Sequence, residues 1–167
     1  IILSENWEPI PLFTGTLNGR GRAISVSSLA SSDGYGGIFR HLNQSRIVNL
    51  RILANTAIVD DVTYFGLLAA TATDPYFNQV VVEGSLSITA ALNVPPVESI
   101  SIGGALGYLT AVGYVSDILV KLQMVVATTG SATVRLNIGM GVGLVENATL
   151  SAVHVTGDLK VTGPARF

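Results

Sequence analysis

An alternation of apolar and polar side chains over residues 117–144 constrains the fold more than any other feature of this sequence. The alternation is interrupted once, at residues 128–131. A period of two is that of extended strands that bury one face, and a short break that contains Gly is typical of a hairpin. The pattern therefore predicts two long strands joined as a hairpin. Its apolar positions are Ile118, Val120, Leu122, Met124, Val126, Val134, Leu136, Ile138, Met140, Val142 and Leu144.

Shorter extended segments precede and follow this region, and no amphipathic helix or internal repeat is apparent. Long Gly-rich connections between them favour two packed sheets over a tight barrel. We therefore predict an all-β fold, an eight- to nine-stranded antiparallel jelly-roll sandwich. Pro9 and Pro11 disfavour regular structure near the start of the chain. We expect residues 1–21 to form an N-terminal arm and residues 22–167 to form a single jelly-roll shell domain.

The composition predicts self-association and excludes several kinds of chemistry. Only 12% of the 167 residues are charged, whereas 49% are apolar, and interface centres are depleted of charge. A net charge of −2 provides no bulk attraction to nucleic acid. The absence of Cys excludes disulfides, thiolate nucleophiles and Cys-ligated zinc. The uncharged window 99–116 is rich in Gly and lacks a dense apolar centre, so we expect no membrane span.

The order of several short segments resembles the coat proteins of small icosahedral RNA viruses, most of all the tymovirus-like group. The resemblance covers about residues 22–145 and is one of pattern. It implies a structural protein, not an enzyme, that assembles with copies of itself into an icosahedral capsid around an RNA genome, and it places the protein in the virion. The segments that carry it are Phe39-Arg40-His41, Val62-Thr63-Tyr64-Phe65, Asp74-Pro75 and Val94-Pro95-Pro96.

A capsid of this kind needs groups that contact the packaged genome. We interpret five scattered basic residues as phosphate partners, with His41 most effective when its imidazole is charged. The alternative for Arg40 and His41 is an ordinary salt bridge where a strand begins. The five residues are Arg20, Arg22, Arg40, His41 and Arg46.

Two further groups have a functional and a structural interpretation. Asp60 and Asp61 could share a structural calcium ion between subunits, or they could cap backbone N–H groups in a turn. We expect no other cofactor. Trp7 and Ile10 are predicted to anchor the arm on a neighbouring subunit. The glycines of residues 139–143 do not form a phosphate loop, because the strand pattern continues through them and no Lys or helix follows.

Two other classes of function remain open. The first is a β-sandwich binding module, such as a trimeric fibre head, a phage decoration protein or an adhesin, although the aromatic content of 7% is low for a glycan site. The second is an enzyme on a β-sandwich or cupin scaffold. His41 and His154 are the only histidines and are isolated in sequence, so we expect no catalytic residues.

Overall fold

The computed structural model describes residues 1–3, 7–59, 62–92, 99–111, 114–130 and 134–163. In these ranges the regular structure consists entirely of strands, which confirms the predicted all-β class. The strands are β1 (Ile2–Leu3), β2 (Ile10–Phe13), β3 (Thr16–Asn18), β4 (Ala23–Ser28), β5 (Ser31–Ser32), β6 (Tyr35–Gly36), β7 (Phe39–Asn43), β8 (Arg46–Val59), β9 (Tyr64–Phe65), β10 (Ala69–Thr73), β11 (Tyr76–Ala91), β12 (Ser99–Gly103), β13 (Leu106–Thr110), β14 (Tyr114–Val115), β15 (Ile118–Thr129), β16 (Arg135–Gly139), β17 (Val142–Glu146), β18 (Thr149–Leu150) and β19 (Val153–Thr162).

These strands form three larger sheets and one small one. Sheet A has the order β1-β4-β8-β11-β15-β19, with β3 also paired to β8. Sheet B has the order β17-β13-β10-β7-β2, and sheet C has the order β16-β12-β9-β6-β5. Strands β14 and β18 pair as sheet D. Among the described strands, every pairing is parallel except that of β5 with β6.

The chain passes through sheets C, B and A in turn and then repeats that path, so the architecture is a parallel β-solenoid. Val80 pairs with Ile118, which is 38 positions later, and Ile118 pairs with Val153, 35 positions later. Tyr35 pairs with Tyr64 after only 29 positions. We number the coils from the N-terminus: β1–β4 belong to coil 1, β6–β8 to coil 2, β9–β11 to coil 3, β12–β15 to coil 4 and β16–β19 to coil 5.

The apolar core fills the space between the three sheets. Inward-facing residues of strand β15 in sheet A are almost fully buried, including Val120 at 0% and Met124 at 1% exposure. Phe65 of sheet C and Phe77 of sheet A are also buried. Removing this apolar surface from water stabilises the solenoid by roughly 25 cal/mol per Å². Within β15, the alternation of residues 118–129 marks the inner and outer faces of sheet A.

The predicted antiparallel jelly-roll sandwich is wrong. Alternation reports which face of a strand is buried, but it does not report the direction or the sequence distance of the partner strand. Strand β15 pairs in parallel with β11 and β19, and the predicted hairpin with the following segment is absent. That following segment also divides at Met140 and Gly141 into β16 of sheet C and β17 of sheet B.

An internal repeat is present, contrary to the sequence interpretation. Equivalent Gly-containing segments turn the chain from sheet C into sheet B, and they stack on one another through backbone hydrogen bonds. Ile38 N donates to Leu67 O at 3.1 Å, Leu67 N to Gly104 O at 3.2 Å, and Gly104 N to Gly139 O at 3.1 Å. The unequal coil lengths hide this repeat from a search for one fixed period.

Candidate functional site

A line of aromatic and polar side chains crosses successive coils where sheets C and B meet on the outer surface. The pairing of β6 with β9 places Tyr35 beside Tyr64. The pairings of β10 place Thr71 beside both His41 and Tyr108. Parallel strands lie about 4.8 Å apart, so equivalent positions form a regular column along the solenoid. We call this set the tyrosine strip: Asp33, Tyr35, Arg40, His41, Tyr64, Thr71, Tyr108 and Glu146.

Ring contacts hold the centre of the tyrosine strip. The Tyr35 and Tyr64 rings stack with centroids 5.4 Å apart and planes at 20°. Tyr108 continues the row, with its centroid 6.2 Å from that of Tyr64. The Arg40 guanidinium carbon lies 4.2 Å from the Tyr35 centroid, a cation–π geometry. Because these contacts occupy ring faces, the ring edges and hydroxyls are the parts that remain for a ligand.

His41 is held by a contact with Thr71, and its surroundings lower its pKa. Its Nδ1 lies 2.5 Å from Thr71 Oγ1, and Thr71 Oγ1 donates to Arg40 O at 3.4 Å. The contact with Thr71 fixes the orientation of the imidazole ring. Burial, and then the nearby Arg40 charge, lower the pKa of His41 below 6.5. The imidazole is therefore neutral at pH 7.

Two carboxylates lie at opposite ends of the tyrosine strip. Asp33 Oδ2 accepts from Arg40 Nη1 at 3.1 Å, an ion pair on the surface. Glu146 Oε2 accepts from the Tyr108 hydroxyl at 2.6 Å. This hydrogen bond, followed by burial and the Glu146 charge, raises the pKa of Tyr108 to about 12. The phenol therefore keeps its proton and orients the Glu146 carboxylate at neutral pH.

The structure brings together only two of the five basic residues predicted to contact nucleic acid. Arg40 and His41 belong to the tyrosine strip. Arg46 begins β8, where its guanidinium lies 4.6 Å from the Tyr76 ring centroid. Arg20 occupies a corner with a φ of 51°, and Arg22 follows it just before β4. Those three residues lie along sheet A and its corners, so the five do not form one phosphate-binding surface.

The remaining predicted site residues do not join the tyrosine strip. Asp60 and Asp61 lie outside the described residues. Trp7 Nε1 donates to Ile38 O at 3.4 Å, and Ile10 packs half-buried against the core as part of β2. Both arm residues thus contact coils of their own chain. Among the described residues, no group of three or more His, Cys, Asp or Glu side chains could hold a metal ion.

Sequence reasoning missed the three tyrosines at the centre of the site. A low aromatic fraction counted against a binding surface, but a fraction cannot show that Tyr35, Tyr64 and Tyr108 come together on consecutive coils. The detectable signal was positional. Tyr35 precedes Gly36 at a corner, and Tyr64 stands in the same place, two residues before Gly66. Recognising the stacked corners would have aligned Tyr35 with Tyr64, whereas Tyr108 lies on sheet B and could not have been found in this way.

No protein-family model matches this chain, and no curated protein or solved structure matches it significantly. Within the described ranges, no helix has the length and apolar character needed to cross a membrane. The fold and the tyrosine strip together define a parallel β-solenoid with an aromatic and polar outer surface. Its function is inferred below from the chemistry of that surface.

Proposed function

We propose that this chain is a binding module that recognises a glycan chain along the tyrosine strip. The observation that carries the proposal is the alignment of Tyr35, Tyr64 and Tyr108 on three successive coils, flanked by His41 and Glu146. This proposed function belongs to the class of binding modules that the sequence left open as the alternative to a capsid. The module is built on a solenoid and not on a β-sandwich.

The hydrogen-bonding groups of the strip match a polyhydroxylated ligand. A sugar hydroxyl both donates and accepts, so its binding site needs acceptors and donors side by side. The Glu146 carboxylate is an acceptor, the Arg40 guanidinium is a donor, and a neutral His41 ring has one donor and one acceptor nitrogen. The phenol groups of the tyrosines can do either. An apolar ligand would leave these groups unpaired.

Rigidity of the strip favours binding. Tyrosine and histidine have few rotatable bonds, and stacking restrains Tyr35 and Tyr64 before any ligand arrives. The Thr71 hydroxyl likewise fixes the His41 ring. Ordering an interface side chain on binding costs roughly 0.5–1.5 kcal/mol, and preorganised side chains avoid much of that cost. The strip is therefore suited to a ligand that makes several individually weak hydrogen bonds.

The strip repeats along the solenoid axis, which favours a linear polymer over a compact ligand. Tyr35 and Tyr64 are in register on coils 2 and 3, about 4.8 Å apart in the backbone, and Tyr108 of coil 4 joins them from sheet B through its ring contact with Tyr64. A chain of similar rings laid along the axis can make equivalent contacts on each coil. Contacts repeated within one chain raise the overall affinity because each later contact is intramolecular.

The two carboxylates of the strip favour binding over hydrolysis. Glycoside hydrolases use two carboxyl groups roughly 5–9.5 Å apart. Asp33 belongs to coil 2 and Glu146 to coil 5, so their backbones are separated by three coil spacings, about 14 Å. Asp33 is paired with Arg40, and Glu146 is held by Tyr108. The strip thus lacks a carboxylate pair at the spacing that glycoside hydrolysis needs.

The capsid function stays a prediction that no finding here tests, and the jelly roll on which it depended is absent. The strip offers little to a polyanion, because Arg40 is paired with Asp33 and the pKa of His41 is lowered. Glu146 adds negative charge at the other end. These charges favour a neutral polyhydroxylated ligand over packaged RNA.

The test is a glycan array followed by calorimetry on the best ligand with three single variants, Tyr35→Phe, Tyr64→Phe and Tyr108→Phe. Each variant keeps the ring contacts and removes one hydroxyl. We expect each to weaken glycan binding about two- to tenfold, the effect of losing one hydrogen bond. Tyr76→Phe is the matched control, since Tyr76 is exposed on sheet A beneath Arg46, and it should bind like the wild type.

A single-stranded RNA oligomer is titrated in parallel at two salt concentrations. Glycan binding that is insensitive to salt and is weakened in the three Tyr→Phe variants supports the proposal. Salt-dependent RNA binding with no glycan signal would overturn it in favour of the nucleic-acid interpretation. Unchanged glycan affinity in the triple Phe variant would place the site elsewhere and would also contradict the proposal.

A further inference from the structure

A second concave surface lies on the outer face of sheet A, on different strands from the tyrosine strip. It is a groove of about 510 Å³ formed by three consecutive residues from each of β11, β15 and β19. The strand register places these three segments side by side. The groove is shallow and open to solvent. The segments are 83–85, 121–123 and 156–158.

The floor of the groove is bare backbone. Gly84 and Gly157 have φ values of 123° and 129°, which side-chain-bearing residues rarely adopt. A Cβ atom would lie 2.0 Å from Ala54 O at Gly84 and 1.8 Å from Leu122 O at Gly157. Strand alternation assigns both glycines to the inner face, yet both are exposed. The close approach of the neighbouring backbone accounts for both glycines, and it leaves this part of the sheet uncovered by side chains.

The walls of the groove carry one uncompensated charge of each sign. Glu83 on one wall is already paired with Arg51. Lys121, on the same wall, and Asp158, on the opposite wall, belong to no ion pair among the described residues. They lie on adjacent strands and two positions apart along them, so their Cα atoms are about 8 Å apart. Ser85 and Gln123 add neutral polar groups to the wall of Asp158.

We infer that this groove binds a small zwitterion, such as an ω-amino acid or a dipeptide. Its carboxylate lies at Lys121, its ammonium group at Asp158, and its polar centre over the glycine floor beside Gln123. The groove walls contain no aromatic side chain and balance one free cation against one free anion. This arrangement disfavours an apolar molecule, and it gives no preference to a simple anion or a simple cation.

The probe is glycylglycine, which carries both charges and a peptide group between them. Binding is followed by chemical-shift changes of the backbone amides of Gly84 and Gly157. Glycylglycinamide lacks the carboxylate, and N-acetylglycylglycine lacks the ammonium group. We expect glycylglycine to shift both glycine amides, and each capped analogue to bind about two- to fivefold more weakly, as expected for an exposed charge pair.

Two variants assign the charges. Lys121→Gln should remove the advantage of glycylglycine over glycylglycinamide, and Asp158→Asn should remove its advantage over N-acetylglycylglycine. Lys160→Gln is the matched control, because Lys160 lies on the same strand but does not line the groove. Equal binding of all three probes to the wild type, or no shift of the groove amides, would overturn the inference. The inference would also be overturned if the Lys160→Gln variant lost its preference for glycylglycine over both capped analogues.

Discussion

At the residue scale, His41 shows how a neighbour decides what a side chain can do. Its sequence context beside Arg40 allowed a charged imidazole that binds phosphate. In the fold, Thr71 comes from the next coil, 30 positions away, and its hydroxyl contacts Nδ1 of the ring. Burial and the Arg40 charge then favour the neutral ring. The same residue is therefore better suited to accept a hydrogen bond than to attract an anion.

The lowered pKa of His41 predicts a pH dependence of stability. Below pH 6.5 the unfolded chain binds a proton at this residue more readily than the folded chain does, so acidification favours unfolding. The stability that the neutral His41 contributes is complete above pH 6.5, and it is lost as the pH falls through the folded-state pKa. We expect His41→Asn to lose less stability than the wild type between pH 7.5 and pH 5, as measured by urea unfolding. His154→Asn is the control, and a wild-type-like loss in His41→Asn would contradict this assignment.

Tyr108 gives a second prediction at this scale. Its hydrogen bond to Glu146 raises its pKa to about 12, so it should ionise after an ordinary tyrosine, whose pKa is about 10. Glu146→Gln keeps a hydrogen-bond acceptor but removes the negative charge, and it should move one tyrosine to a lower pKa in an ultraviolet absorbance titration. Superimposable titration curves for the two proteins would show that the Tyr108–Glu146 contact does not form.

At the element scale, neighbouring strands in register can have the same pattern and different burial. Met124 of β15 pairs with Leu159 of β19, and both face the inside of sheet A. Met124 is 1% exposed, whereas Leu159 is 39% exposed. The difference arises because coil 4 is covered by coils on both sides, while no described coil covers the far side of coil 5. The strand pattern alone therefore does not show how much a side chain contributes to the free energy of unfolding.

This pair of residues provides a matched test of coil burial. Met124→Ala should lower the free energy of unfolding by about 2–5 kcal/mol, the usual cost of emptying a packed core site. Leu159→Ala should cost less than about half of that, because much of its side chain already contacts water. Chemical denaturation of both variants at low protein concentration measures the difference. Equal losses would mean that coil 5 is covered in solution.

At the scale of the whole molecule, the two ends of the solenoid differ from its middle. Val155 and Leu150 on coil 5 are about 40% exposed, and Ile1, Ile2 and Leu12 on coil 1 are exposed further. On coil 5, no described strand pairs with the outer side of β19 (Val153–Thr162), so its ten residues form a free edge there. Solenoids generally require capping at their ends to stay soluble, and free strand edges pair readily with other chains.

We expect this 167-residue chain to associate with itself as its concentration rises, the self-association that its low charge also predicts. The double variant Val155→Lys and Leu159→Lys should remain monomeric, because the added charges would be desolvated in the contact. His154→Lys changes the outer face of the same strand and is the control. Light scattering during size-exclusion chromatography measures the mass, and a monomeric wild type at all concentrations would contradict this prediction.

The sequence predicted the faces of the strands more reliably than their partners. The inner and outer positions of β15 are those that its alternation predicts, because burial is a local property of a pleated strand. The partner strands lie 35 and 38 positions away on either side, at a spacing that differs from the 29 positions between Tyr35 and Tyr64. Arg40 and His41 were identified as site residues, but the tyrosines beside them were not.

By itself the sequence determined an all-β chain, the inner and outer faces of its long strand β15 and a surface with few charges. These follow from side-chain period and composition, which do not depend on distant parts of the chain. Only the tertiary structure decided that the strands run parallel in stacked coils and that Tyr35, Tyr64 and Tyr108 form one row. The physical reason is that backbone hydrogen bonds between strands are the same for any residue type, so direction and register depend on how whole coils stack.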